Sequence, residues 1–198
     1  MKRTTALALI TVLLLALTPG TVPGVAAASD IEFISDANFA AALHELYQDQ
    51  EITKDFVKTI KELNIGNKEI SSLKGIEYFT GLTTLVCEGN ELTELDVSKN
   101  TSLEGLYCGS NQLTKLILSN EPKLKNLGCQ NNLLSSLDVS KQTALKVLDC
   151  SNNLLTMLDL SQNTGLTAVN CKANYLDNQE FLDINKGVIE KFGTDFFT

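Results

Sequence analysis

The sequence predicts an α/β solenoid, a right-handed superhelix with a parallel sheet on its concave side, extended backbone on its convex side and a helical N-terminal cap. Three observations predict this fold class. Cysteine, asparagine and leucine each recur every 21 residues between residues 82 and 176. One such unit is too short to form a core of its own, so the units must stack. An amphipathic segment of helical spacing precedes them.

The repeat is a set of columns that stay in phase over five turns. The consensus of the turns reads LxxLxCxxNxLxxLDVSxNTx, with leucine at the first and eleventh positions of all five and at the fourth position of all but the last, which has Val169. Because several columns share one period, they predict one supersecondary unit per period. The cysteine and asparagine columns form the predicted structural ladder, whose members are Cys87, Cys108, Cys129, Cys150, Cys171, Asn90, Asn111, Asn132, Asn153 and Asn174.

The spacing within a turn predicts its backbone. Each LxxLxC segment can form a short strand whose leucine and cysteine side chains point inward, and stacking places such strands about 4.8 Å apart in a parallel sheet. Asparagine at the strand exit can bond backbone groups that would otherwise be buried and unpaired. The return segment is too short for an ordinary helix, so we expect extended or turn-like backbone there. Its inward-pointing side chains are predicted to be Val97, Leu118, Val139 and Leu160.

The repeats occupy residues 60–176, about six turns, and the first turn is atypical. In that turn Ile65 stands at the cysteine position and Lys68 at the asparagine position. Terminal repeats deviate in this way because they adapt the array to a cap. Residues 177–198 leave the repeat and are interpreted as a C-terminal cap or a truncated end.

Residues 29–59 are predicted to form the helical N-terminal cap. Phe39, Leu43 and Leu46 fall on one helical face, and Ser35 or Asp36 can cap the helix start. A second short helix is expected over 53–60, capped by its first residue. Such a cap covers core and sheet edge that would otherwise be exposed at the end of the solenoid.

Residues 1–28 have the layout of a secretory signal peptide. Lys2 and Arg3 precede an apolar run over 6–17 that is too short to span a bilayer comfortably, and small residues follow at 25–28. The alternative is an anchor that stays attached. The signal predicts a secreted or cell-surface protein with no membrane insertion after cleavage.

The cysteine column has a structural interpretation. Disulfides are the first expectation in an exported protein, but the count of five is odd. Neighbours in a parallel sheet are also spaced more widely than a disulfide allows. A metal needs ligands that converge on one point, whereas a ladder spreads them along an axis. We therefore expect free, buried thiols acting as small hydrophobic side chains, with one adventitious or intermolecular bridge left open.

Residues 31–176 resemble bacterial surface and secreted leucine-rich-repeat proteins of the internalin-like kind, with cysteine-bearing 21-residue repeats. The segment over 70–82, ISSLKGIEYFTGL, is similar to their first repeat, and the later turns to their cysteine-bearing variant. The resemblance implies recognition of protein or glycan outside the cell, often adhesion. Relatives often carry a calcium-loop-like sequence after the first cap helix. The stretch over 49–52 lacks its spaced acids and glycine, so no calcium site is transferred.

Composition disfavours other function classes. The formal net charge is −8 and Arg3 is the sole arginine, which disfavours nucleic-acid binding. His44 is the only histidine and has no evident catalytic partner, so we expect no enzyme activity and no cofactor. Asp138 and Asp159 share a column where a calcium ion is conceivable, but Ile117 interrupts it and solvated turn residues are the favoured interpretation. No metal site is predicted.

The predicted ligand face is the concave sheet, where side chains alternate with the buried ladder. The predicted function is an exported binding module for a protein or glycan, acting as a monomer, with host or surface adhesion as one form of it. The alternative is a structural spacer or stalk fragment of a larger surface protein. A flanking column of Leu133, Leu154 and Tyr175 is either a contact patch or partly buried. The candidate binding residues are Val86, Glu88, Tyr107, Gln130, Asp149, Asn170 and Lys172.

Overall fold

The computed structural model describes residues 31–176 and 179–197. The predicted signal peptide over 1–28 lies outside the described residues. From residue 31 onwards, two helices precede the repeats, α1 (Ala37–Leu46) and α2 (Lys54–Val57). The Asp36 side chain caps α1 by accepting from the backbone N–H of Phe39, and Thr53 caps α2 in the same way. The predicted helical N-terminal cap is confirmed.

The second helix is shorter than the range of 53–60 expected from the sequence. The backbone N–H of Thr59 donates to Phe56, and that of Ile60 donates to Val57. Both bonds span three residues, which tightens the last turn and ends the α-helix at Val57. The chain then enters the first strand without a long connection.

Within the described residues, eight three-residue strands and one short 3-10 helix form the solenoid. The 3-10 helix is Ile76–Tyr78. The strands in chain order are β1 (Glu62–Asn64), β2 (Thr84–Val86), β3 (Glu94–Asp96), β4 (Gly105–Tyr107), β5 (Lys115–Ile117), β6 (Asn126–Gly128), β7 (Val147–Asp149) and β8 (Ala168–Asn170).

The concave side is a six-stranded parallel sheet in the order β1-β2-β4-β6-β7-β8. Its register follows the repeat, since Leu85 pairs with Leu106 and Leu106 with Leu127. The leucines of this column and all five cysteines are buried in one continuous core. The predicted parallel concave sheet is therefore confirmed, with every turn in phase.

The convex side is more regular than expected in its second and third turns. There β3 and β5 pair in parallel, while the other return segments have no strand. Val97, Val139 and Leu160 are buried as predicted, and Leu118 is half-buried against the core.

The acidic column on this side forms turns. Asp96, Asp138 and Asp159 each accept the backbone N–H two residues ahead at 2.8–2.9 Å. These carboxylates thus serve the local backbone, as the favoured interpretation of that column expects.

Two helices follow the last strand, α3 (Gln179–Ile184) and α4 (Lys186–Phe192). Beyond them the chain returns to the sheet, where the backbone N–H of Cys171 donates to the carbonyl oxygen of Phe196 at 2.6 Å. Phe181 packs edge-on against Phe197 with ring centroids 4.9 Å apart. The C-terminal segment therefore occupies the place that a further turn would take. Among the described helices, none is long and apolar enough to cross a membrane.

Candidate binding face

The concave face presents three columns of side chains between the buried ladder positions. The strand register aligns Val86, Tyr107, Gly128, Asp149 and Asn170 as the central column. A column on one side contains Thr84, Gly105, Asn126, Val147 and Ala168. A third column has the same register, because backbone hydrogen bonds join successive turns just after the strands. The N–H of Gly89, for example, donates to the carbonyl oxygen of Gly109. That column contains Glu88, Gly109, Gln130, Ser151 and Lys172.

Tyr107 lies across two glycines. A Cβ atom at Gly105 would stand 3.3 Å from Cε2 of Tyr107, and one at Gly128 would stand 3.4 Å from its Cδ1. Side chains at either position would crowd the ring. The two glycines therefore let the half-buried Tyr107 ring approach the sheet closely at these two positions.

Glu88 and Gln130 form a bridge that spans a glycine. Nε2 of Gln130 donates to Oε1 of Glu88 at 3.1 Å, two turns away. A Cβ at the intervening Gly109 would stand 2.5 Å from that nitrogen, so the glycine makes the bridge possible. Oε1 of Gln130 is buried and has no hydrogen-bond partner within the described residues. The bridge thus holds an acceptor whose bonding capacity is unused.

Asp149 is fixed by three hydrogen bonds. Its Oδ1 accepts from the backbone N–H of Ser151 at 3.0 Å and from the Ser151 hydroxyl at 2.6 Å. Its Oδ2 accepts from Nδ2 of Asn170 at 3.2 Å. Oδ1 of Asn170 in turn accepts from the backbone N–H of Lys172 at 3.3 Å. The carboxylate is preorganised, and each oxygen keeps further lone-pair capacity for a ligand.

The structure places all seven candidate binding residues on one face. Val86, Tyr107, Asp149 and Asn170 share the central column, and Glu88, Gln130 and Lys172 share the column beside it. The flanking column is exposed, with Leu133 at 48%, Leu154 at 42% and Tyr175 at 62%. Since Leu133 and Leu154 each have about half of their surface covered, both interpretations of that column, a contact patch and partial burial, stay predictions.

The asparagine ladder has the role that the sequence predicts. Nδ2 of Asn132 donates to the carbonyl oxygens of Cys108 and Cys129, and its Oδ1 accepts from the N–H of Leu113. Each ladder asparagine binds its own turn and the preceding turn in this manner. Consequently the side chains pair the polar backbone groups that a tight bend would leave buried.

A second amide ladder on the convex side was missed by the sequence interpretation. Nδ2 of Asn100 donates to Ile76 and Phe79, and Nδ2 of Asn163 donates to Val139 and Gln142. Gln142 donates to Ser119 at 2.6 Å. The sequence does contain a sign of this second ladder, since Gln142 and Asn163 are separated by the same 21 residues as the turns. Residue 121, which completes the spacing from Asn100, is a glutamate.

Asn185 ends the second ladder from outside the repeat. Its Oδ1 accepts from the N–H of Leu160 at 2.8 Å, and its Nδ2 donates to Leu158 at 2.7 Å and Phe181 at 3.0 Å. It is fully buried between α3 and α4. This residue docks the C-terminal helices onto the last turn.

The cysteines are buried packing groups. All five are free thiols with no exposed surface. Burial raises the pKa of the Cys108 and Cys129 thiols well above the ordinary value, because the thiolate would lose its hydration. No cluster of candidate metal ligands occurs among the residues that the structure describes.

A cleft of about 490 Å³ lies on the convex side, away from the predicted ligand face. It is lined by the first turn, including Leu73 and Glu77, and by β3 and β5. Its charged lining consists of three acidic and three lysine side chains, so neither sign of charge predominates. His44 is half-buried on α1, outside both the cleft and the concave sheet.

Comparison with known proteins finds one matching family. The family described as "Endo-beta-N-acetylglucosaminidase EndoS LRR domain" matches residues 40–153. Internalin J of Listeria monocytogenes serotype 4b (strain F2365) is 40% identical over 73 residues, which are 35% of this chain and 8% of that protein. The chain thus spans a small part of this curated relative.

Solved structures agree with this assignment. The functional domain of internalin J from Listeria monocytogenes, which includes a cysteine ladder, is 34% identical with a TM-score of 0.64. That match covers 70% of this chain and 36% of the solved chain. The internalin inlF of Listeria monocytogenes strain 4b F2365 is 24% identical with a TM-score of 0.63, covers 74% of this chain and 46% of that one, and supports the fold alone.

Proposed function

Since the chain belongs to the leucine-rich-repeat domain family named for EndoS, and its repeats are internalin-like, we propose that it is an exported module that binds an extracellular protein or glycan. Its ligand face is the concave sheet. The family and the structural neighbours support a protein-binding or adhesion module in general terms. The finer proposal rests on the side chains of this chain.

The observation that carries the proposal is the preorganisation of the concave face. Asp149 is held by Ser151 and Asn170, and Glu88 is held by Gln130. Such polar groups add little to folding when half-exposed, yet their fixed positions lower the entropy cost of binding. Tyr107 supplies an aromatic contact in their midst, a residue type favoured at binding hot spots.

The test is the double variant Tyr107→Ala/Asp149→Ala in the full chain. Binding is measured to immobilised extracellular proteins and to an oligosaccharide array, and unfolding by urea is measured in parallel. We expect lower binding with an unchanged unfolding midpoint. The matched control, Glu121→Ala/Lys123→Ala, removes two exposed residues of a convex loop and should bind as the parent does. Full binding by the double variant would refute the assignment of the concave face.

Export is proposed from the sequence of residues 1–28 and from the surface or secreted character of internalin relatives. Sequencing the N-terminus of the protein recovered from culture medium or cell surface should find a start near residue 28. We also propose that the protein is a monomer without catalytic activity of its own. Light scattering after gel filtration tests the first point, since a dimer would double the measured mass.

A spacer role is the second candidate. It is favoured by Tyr107 being the sole aromatic side chain of the three concave columns. A spacer predicts that no immobilised protein or oligosaccharide binds the isolated chain above background. Binding that depends on Tyr107 would exclude it.

A further inference from the structure

One edge of β3, on the convex side, has no strand beside it. On the concave side β2 pairs with β1 on one edge and with β4 on the other. Within residues 31–176 and 179–197 the convex sheet consists of β3 and β5 alone. The edge of β3 that faces the first turn (residues 60–81) is therefore unpaired, and we refer to it as the free edge of β3.

The backbone groups on the free edge belong to Glu94 and Asp96. In a parallel ladder, alternate residues of one strand bond to opposite neighbours. The N–H of Val97 donates to the carbonyl oxygen of Ile117 in the following turn, so Leu95, two residues earlier, also bonds towards β5. The N–H and C=O groups of Glu94 and Asp96 consequently point the other way, towards the first turn.

The first turn does not pair with these groups, because its own backbone is bonded elsewhere. The backbone N–H groups of Ser71 and Ser72 donate to the Asp36 carboxylate, and that of Lys74 donates to the Ser72 hydroxyl. The carbonyl oxygen of Leu73 accepts a bond at the start of the 3-10 helix. In the described part of the chain, no backbone hydrogen bond joins this segment to β3. The atypical first turn thus leaves the free edge of β3 without a neighbour.

The convex cleft adjoins the free edge. Its volume of about 490 Å³ is lined by the first turn on one side and by β3 and β5 on the other. Buried side chains of Leu73, Ile76 and Leu95 contribute the apolar part of this lining. The volume falls within the range of ligand sites, about 300–1,000 Å³. An extended chain rises about 3.3 Å per residue, so three residues beside β3 would span about 10 Å.

The side chains of β3 indicate which kind of chain fits its free edge. Glu94 and Asp96 are exposed on one face, and Leu95 between them is buried on the other. If two copies of β3 paired edge to edge, these carboxylates would lie opposite one another, which is destabilising. A strand with basic side chains opposite the two carboxylates and an apolar side chain opposite Leu95 would instead be complementary.

The other charges of the cleft do not reverse this preference. The lysines of the lining are Lys74, Lys99 and Lys115, and no ion pair joins any of them to an acid of the cleft among the described residues. Lys115 pairs in register with Glu94 from the β5 side, so a strand added at the free edge meets the carboxylates first. The equal numbers of acids and lysines also disfavour a polyanion as the occupant.

We propose that the free edge of β3 is a docking site for an extended peptide segment of a partner protein, with basic and apolar residues in alternation. The segment adds as a further strand between β3 and the first turn, as in other cases of strand addition. Its backbone pairs with the N–H and C=O groups of Glu94 and Asp96. This convex site goes beyond the proposed function and does not depend on the concave sheet.

The test is an NMR titration of the full chain with two acetylated and amidated hexapeptides. One alternates lysine with valine, and the other alternates glutamate with valine. The lysine peptide should shift the backbone amide signals of Glu94 and Asp96 and reach saturation. The glutamate peptide should bind at least tenfold more weakly, because its side chains repel the two carboxylates.

Methylation of the peptide nitrogens separates strand addition from attraction between side chains. A strand presents alternate N–H groups to one neighbour, so only one of the two sets of alternate nitrogens faces β3. Methylating that set should abolish binding of the lysine peptide, whereas methylating the other set should leave binding within a fewfold. Equal effects of the two methylations would overturn strand addition.

Variants of Glu94 test the same bonds from the side of the protein. Glu94→Pro removes both the outward N–H and the carboxylate, whereas Glu94→Ala removes the carboxylate alone. Proline is tolerated where the N–H of an edge strand faces away from the sheet, so urea unfolding should remain close to that of the parent. We expect Glu94→Pro to bind the lysine peptide about tenfold more weakly than Glu94→Ala does. Equal affinities of the two variants would overturn the backbone pairing.

The matched control is Glu104→Ala, which removes an exposed glutamate that pairs with Lys125. It should bind the lysine peptide as the parent does, and so should Tyr107→Ala/Asp149→Ala, which separates this site from the concave face. No shift of the Glu94 and Asp96 signals at millimolar lysine peptide would overturn the docking site. Signals that change with protein concentration in the absence of peptide would make a second copy the occupant and would also overturn it.

Discussion

The carboxylate of Asp36 accepts a hydrogen bond from the Ser71 hydroxyl at 2.7 Å, joining the N-terminal helix to the first turn. The same oxygen accepts the backbone N–H groups of Ser71 and Ser72, while the other oxygen caps α1 through Phe39. Partial burial by itself would raise the pKa of Asp36. The hydrogen bonds from Ser71, Phe39 and Ser72 outweigh it, so the pKa lies below its usual value.

Asp36→Ala should therefore loosen the N-terminal cap. It removes a helix cap and the contacts to the first turn, and we expect a loss of about 2 kcal/mol in the free energy of unfolding by urea at pH 7. The contribution of Asp36 is fully present above the unfolded pKa and disappears as pH falls through the lower folded pKa. The difference between parent and variant should hence shrink below about pH 4.

Asp55→Ala is the matched control for this variant. Asp55 lies in the first turn of α2 and pairs only with Lys58 at the surface. Exposed pairs of this kind contribute little, so the unfolding midpoint should barely change. Equal losses from the two variants would contradict the special role of Asp36.

Asn132→Ala should destabilise the middle of the array. The variant leaves the buried N–H of Leu113 without its partner. It also removes one of two amide donors from the carbonyl oxygens of Cys108 and Cys129, which keep Asn111 and Asn153 respectively. One unpaired buried N–H and these lost bonds should cost about 2 kcal/mol together. The measurement is urea unfolding followed by circular dichroism. Asn120→Ala, at an exposed loop position, is the comparison and should change nothing.

Asn185→Asp should detach the C-terminal helices. The substitution keeps the size of the side chain but replaces the Nδ2 donor to Leu158 and Phe181 with an acceptor, and it buries a charge. We expect faster amide hydrogen exchange in α3 and α4, with the central strands still protected. If exchange in α3 and α4 remained as slow as in the parent, Asn185 would not be the docking residue.

The thiols should be unreactive in the folded protein. Burial raises the pKa values of Cys108 and Cys129 well above normal, so raising the pH to 9 should not produce thiolate there. A thiol reagent should find five reactive cysteines in denaturant and almost none without it. Fewer than five in denaturant would reveal a disulfide. Rapid reaction in the native state would contradict the buried ladder.

The periodic part of the chain was predictable because one register error would move every side chain to the wrong face. Five cysteines at one spacing therefore specified both the buried ladder and the exposed columns between its members. The second amide ladder was harder to find, because a glutamate stands at residue 121 and Asn185 lies outside the period. Its role depends on how α3 and α4 pack, which no spacing encodes.

The candidate site was predictable only as a set of positions. Alternation along each strand identifies Tyr107, Gly128 and Asp149 as neighbours on one face. Alternation says nothing about rotamers, so the close approach of the Tyr107 ring to Gly105 required coordinates. The bond between Glu88 and Gln130 likewise joins residues 42 apart in the chain, across an intervening glycine.

The side chain of each ladder asparagine forms hydrogen bonds with the turn that precedes it in the chain. Nδ2 of Asn153 donates to Cys129 of the preceding turn, and its Oδ1 accepts from Leu134 of that turn. A turn that has just left the ribosome therefore lacks partners for backbone N–H and C=O groups at its bend until the following 21 residues have also emerged. Synthesis from the N-terminus supplies these partners in order, and the nascent chain can fold one turn behind its own growth.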